Sequence, residues 1–67
     1  MKDWQKRVIE ERNDLETKMQ KLHAFIGSKE YQKIAYNEQE IISRQYRSMD
    51  QYYKELGNRI TTFILGD

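Results

Sequence analysis

Numbered in heptads from Val8, the first third of the chain places Val8, Leu15 and Leu22 at position a, and Trp4, Glu11, Lys18 and Phe25 at position d. Half of that d row is charged. Arg12, Met19 and Ile26 form the neighbouring e row, so a helix of 3.6 residues per turn can let its apolar face drift sideways from d toward e. Asp3 is the expected N-cap and Gly27 the expected left-handed stop, which predicts a helix over about residues 4–26. In "SKEYQKIAY", Ser28 can cap a short helix over about 28–35, with Tyr31 and Ile34 turned inward. Asn37 and Glu40 have the spacing of a capping box and open a third segment, predicted helical over about 38–64. There Ile42, Met49, Leu56 and Phe63 recur every seventh residue, and Tyr46, Tyr53 and Ile60 form the adjacent row.

These patterns predict an all-α fold, a single helical domain over residues 1–67. Two long helices and a short helical connector make an antiparallel hairpin. With no proline and only three glycines, little interrupts them. Two helices alone leave much of their apolar stripes in water. A trimer, tetramer or hexamer of hairpins would cover them.

Composition removes the other means of stabilising so small a chain. There is no cysteine and a single histidine, His23, so neither disulfides, nor thiolate metal sites, nor a multi-histidine metal site within one chain is available. Neither metal nor cofactor is expected. Twelve basic residues against eleven acidic ones, interleaved along the chain, lack the field that a binder of nucleic-acid polymer uses. The mean hydropathy of −1.05 and the lack of a long apolar run give no signal peptide and no membrane span, and so predict a cytosolic protein. No nucleophile, base and orienting group stand together, and the carboxylates read as solvated ion partners at i, i+3 and i+4. The chain is not expected to be an enzyme.

Three residues suit a binding site. Trp4, in the first helical turn, is either a plug between chains or a face on which a base stacks. Lys18 either lays its stem along the seam with its ammonium in water, or holds that ammonium beside a phosphate. The two are about 21 Å apart along one helix, at 1.5 Å per residue, so a small ligand touching both needs Trp4 from one protomer and Lys18 from another. Arg59, in "LGNRITTF", follows Gly57: either the helix ends at Gly57 and Asn58, or it continues, glycine permits a close approach, and Arg59 offers its planar fork to phosphate oxygens. Five tyrosines read mainly as interface aromatics with wet hydroxyls.

The ordered set Trp4, Arg7-Val8, Glu10-Glu11, Leu15, Lys18, Lys21-Leu22, Phe25-Ile26, Met49, Tyr52, Leu56-Gly57, Arg59-Ile60 and Phe63 resembles the small phage-encoded anti-CBASS sponges. The resemblance covers about residues 4 to 63. It is looser through "YQKIAYNEQEIISRQYRS", and tryptophan stands where tyrosine or phenylalanine is more usual in the family. It implies a homohexamer, a trimer of interlocked dimers, in the cytoplasm of an infected bacterial host. Such a protein sequesters cyclic oligonucleotide second messengers of antiphage signalling without cleaving them. Family members hold cyclic dinucleotides between protomers with an aromatic residue and a lysine of the first helix, roles that would fall on Trp4 and Lys18. Some also bind cyclic trinucleotides in a separate pocket with an arginine near the end of the last helix, matched here by Arg59. The competing reading is a helical adaptor for a partner protein, in which the charged d positions only fix register and no small molecule binds.

Overall fold

The computed structural model describes residues 1–66 as three helices, α1 (Asp3–Ile26), α2 (Lys29–Lys33) and α3 (Tyr36–Gly66). α1 and α3 pack along each other as a helical hairpin, and α2 turns the corner.

The seam between the long helices runs along a and e of α1 rather than a and d. Val8 and Leu15 from row a, and Gln5 and Met19 from row e, are buried against Leu56 and Phe63 of α3. Ile9, Tyr46, Met49, Tyr53 and Ile60 pack around them. The d row, Trp4, Glu11, Lys18 and Phe25, is exposed throughout. The cause is the drift of a straight helix away from a 3.5-residue repeat, with a strong bias from chemistry. Burying Glu11 and Lys18 without partners would cost several kcal/mol each, on the order of the whole stability of a small domain.

The helix ends differ from the expected caps. Lys2, with φ −73° and ψ 155°, is the N-cap of α1, and Asp3 is already helical. The Gln5 side chain explains this: its Oε1 accepts the Lys2 backbone N–H at 2.8 Å, satisfying the first orphan donor. Asp3 then sits in the first turn, where a carboxylate suits the helix dipole. Gly27 has φ −84° and ψ 2°, an ordinary conformation rather than the left-handed one. Ser28 makes that conformation unnecessary: its N–H donates to the Phe25 carbonyl at 2.9 Å, its hydroxyl donates to the same carbonyl, and Oγ accepts the Tyr31 N–H at 3.3 Å as the cap of α2.

Asn37 lies inside the first turn of α3 instead of capping it, because the Ala35 carbonyl accepts the Gln39 N–H at 3.0 Å and starts the helix earlier. Gln39 does the tying here. Its Nε2 donates to the carbonyls of Tyr31 at 2.7 Å and Ile34 at 3.2 Å. Tyr31 replies by donating its hydroxyl to the Gln39 carbonyl at 2.9 Å, with Ser43 Oγ 3.0 Å away. This reciprocal clasp fixes how far the chain travels in the turn, and therefore the register of α1 against α3.

α3 runs unbroken through Gly57 and Asn58. The hairpin is a rod of 49 × 15 × 14 Å with a radius of gyration of 15.3 Å, where a compact chain of this length would have about 11 Å. Its surface of 5333 Å² exceeds the roughly 4,500 Å² of a compact monomer of this mass. Ile41, Ile64 and Leu65 are among the large apolar side chains left exposed.

Candidate functional site

The exposed d row borders one long flank of the rod. Trp4, Arg7, Glu11, Asp14 and Lys18 recur at spacings of three and four, which keeps them on one side of α1. Running antiparallel, Thr62, Arg59, Glu55 and Tyr52 do the same on α3. Two neighbouring grooves result. The first, about 300 Å³, is lined by Trp4, Glu55, Asn58, Arg59, Thr62 and Phe63. The second, about 310 Å³, holds Lys18 with Arg7, Glu10, Glu11, Asp14, Leu15 and Tyr52.

Trp4 stands edge-on to Phe63, with ring centroids 5.4 Å apart and planes at 81°. That contact anchors one edge of the indole on a buried ring, yet 43 % of the residue remains exposed. A planar base can therefore reach it. Arg59 lines the same groove as Trp4, whereas the family resemblance implied separate pockets for the two. Lys18 lies in the other groove, so one chain brings Trp4 together with Arg59 and not with Lys18.

Between these residues lies a contact that sequence reading did not find. The Tyr52 hydroxyl donates to Glu11 Oε1 at 2.7 Å. This hydrogen bond to a carboxylate raises the Tyr52 pKa, with desolvation and the Glu11 charge acting in the same direction and the nearby Arg59 charge opposing them. Glu11 thus orients a tyrosine. The signal available was positional: Tyr52 stands as far after the turn as Glu11 stands before it.

Among the described residues Lys54 and Asp50, at 3.0 Å, form the one ion pair. The carboxylates of this flank therefore do not neutralise Lys18, Arg7 or Arg59 at close range, contrary to the ion-paired helix faces expected. Both grooves set cations beside aromatic surface, and both also carry carboxylates, Glu55 beside Arg59 in the first and Glu10, Glu11 and Asp14 beside Arg7 and Lys18 in the second. Among the described residues no three His, Asp or Glu side chains gather as a metal-ligand set, and no helix is long and apolar enough to cross a membrane. His23 is exposed, its ring tilted against Tyr46 at 5.8 Å.

Fold and flank together define a small all-helical hairpin protein whose chemistry is displayed in open grooves rather than in an enclosed cavity. The chain belongs to the Sequestin family, whose sequence profile matches residues 2–62. That name describes sequestration. No curated protein and no solved structure matches the chain.

Proposed function

We propose that this protein binds and sequesters cyclic oligonucleotide second messengers, cyclic dinucleotides first and cyclic trinucleotides as well, without cleaving them. In the cytoplasm of an infected bacterium, such a phage-encoded sponge would starve the antiphage effector of its signal. The observation that carries the reading is the exposed indole of Trp4 beside the unpaired guanidinium of Arg59 in one open groove. A stacking face and a phosphate fork are the two contacts that a compact, dianionic ring of nucleotides requires. Membership in the Sequestin family supports the sequestering part of this reading, and the resemblance to anti-CBASS sponges supplies the ligand class.

A single rod offers only half a container. Glu11 lies midway between Trp4 and Lys18, seven residues from each. Two copies of α1 crossing antiparallel at Glu11 would therefore set Trp4 of each chain opposite Lys18 of the partner subunit. That would close the groove with a second cation. Repeating such dimers around a threefold axis gives the hexamer that the resemblance implies, and it would cover the apolar surface that the lone hairpin leaves wet.

The test is thermal melting of the purified protein against a panel of cyclic dinucleotides and trinucleotides, followed by chromatography of the ligand released on denaturation. A true ligand at a hundred times its Kd adds about 2.7 kcal/mol per independent site and is recovered intact. If no member of the panel raises the melting temperature, the sequestering function proposed here fails and the helical adaptor is the better account. Recovery of a linear product instead would make the protein an enzyme.

A further inference from the structure

The opposite flank of the rod carries a second cluster that none of this uses. Arg12, from the e row of α1, lies across α3. Its guanidinium carbon is 4.0 Å from the centroid of the Tyr53 ring, and its Nε is buried with no hydrogen-bond partner. A Cβ placed on Gly57 would lie 3.3 Å from Arg12 Nε and 3.4 Å from Nη2. The missing side chain at position 57 thus lets the guanidinium sit a few tenths of an ångström closer to α3 than a methyl would allow, one helical turn beyond the tyrosine on which it stacks. A glycine inside a long helix weakens that helix, so the clearance has to serve something.

Arg12 has no carboxylate within ion-pairing distance among the described residues. It is a half-buried, permanently charged group that among the described residues meets an aromatic face but no carboxylate. The groove it shares with Lys54, Gly57, Asn58, Ile60 and Thr61, about 400 Å³, presents two cations, an amide and a hydroxyl, with no carboxylate in its lining. Lys54 is steadied from behind by Asp50 while its side chain stays 65 % exposed.

We propose that this groove is an oxyanion site that takes a phosphate group. The planar fork of Arg12 grips two oxygens and Lys54 supplies a point charge. Tyr53 and Gly57 hold the fork in place. The site lies on the other flank of α3 from Trp4 and Arg59, with Asn58 the one residue that lines both grooves, and its cations, Arg12 and Lys54, belong to neither messenger groove.

The decisive experiment titrates the isotope-labelled full chain with two probes while following the Gly57 backbone amide and the Arg12 Nε–H by NMR, both outside the lining of the Trp4 groove. The probes are inorganic phosphate and a linear dinucleoside monophosphate, which carries one phosphodiester and no free phosphate. Saturable shifts with either probe are expected, and the probe that saturates at lower concentration identifies the source of the phosphate. Arg12→Lys keeps the charge but loses the fork and should weaken binding at least tenfold. Gly57→Ala, which moves the guanidinium by only a few tenths of an ångström, should weaken it less than Arg12→Lys does, whereas Trp4→Ala and Lys18→Ala should leave it unchanged. Absence of a saturable shift with both probes overturns the proposal. So does a result in which Arg12→Lys alters the sedimentation coefficient without phosphate while phosphate never moves the Gly57 amide, since Arg12 would then pair with a carboxylate of another copy.

Discussion

Replacing Trp4 by alanine separates the ligand role of this residue from its structural one, because the two contributions differ in size and in readout. Structurally, Trp4 gives the hairpin an edge-to-face contact with Phe63 at 5.4 Å, a pair worth about 0.5–1.5 kcal/mol beyond the area it covers. Phe63, only 9 % exposed, keeps its other neighbours in the seam, and the first turn of α1 keeps its Gln5 cap. A small drop in melting temperature with the helical content and assembly intact is therefore expected. For the ligand, loss of one stacking face removes about 1–3 kcal/mol, which is roughly a 5- to 140-fold increase in Kd. Calorimetry with a cyclic dinucleotide measures this directly, and sedimentation of the same sample verifies the assembly. Trp4→Phe supplies the control: it retains an edge for Phe63 and a smaller face for the base, and should fall between parent and alanine. As the only tryptophan in the chain, Trp4 also reports on itself, and its fluorescence should be quenched as ligand saturates the parent. An alanine variant that binds within about twofold of the parent while remaining assembled would refute the stacking role.

Three further outcomes follow from the same geometry. Lys18→Ala and Arg59→Ala should each weaken nucleotide binding by about 1.5–3 kcal/mol, one charge-assisted hydrogen bond, by calorimetry; because Arg59 shares the Trp4 groove, Trp4→Ala and Arg59→Ala should be non-additive in a double-mutant cycle, and strict additivity would place them in different sites. Leu56→Ala, at the one fully buried side chain among the described residues, should cost about 2–5 kcal/mol in denaturant unfolding, and a loss below about 1 kcal/mol would mean that the core is not centred there. Tyr52 has its pKa raised above the ordinary 10.0 by the Glu11 hydrogen bond, so the stability it contributes is fully present below pH 10 and is lost as pH rises through the higher folded-state value. Its tyrosinate absorbance should appear late, and Glu11→Gln should bring it back toward the ordinary range; an unchanged curve would disprove the bond.

The helices were legible because their signals are local. Periodicity, helix formers and the Ser28 cap each act within a turn or two. The face that α1 buries was less so. A strict heptad puts Trp4 and Lys18 on the seam, but Gln5 and Met19 are the residues buried there. The charges at positions 11 and 18 already argued against the d row, since an apolar alternative stood one residue further along at Met19 and Ile26. What was not legible is any pairing that joins distant residues through space. Arg12 and Gly57 make sense only together, one as the charge and the other as its clearance, and no periodic pattern connects them.

Register is the exception, and it bears on the site. Both long helices rise equally per residue, so positions equally far from the turn must face each other across the hairpin. Positions 4 and 59 have the same total as positions 11 and 52, and in the fold Trp4 shares a groove with Arg59 while Glu11 accepts the Tyr52 hydroxyl. Counting outward from a turn bounded by Gly27 and Asn37 would give both pairs to within a residue or so. The count depends on how much chain the turn consumes, and that is what the Tyr31–Gln39 clasp fixes. Loosening it should act at a distance. Tyr31→Phe removes the hydroxyl's contacts with the Gln39 carbonyl and Ser43 but leaves α1 and α3 their apolar seam. The hairpin would persist with a less firmly held register, and Trp4 and Arg59 would share their groove for a smaller fraction of the time.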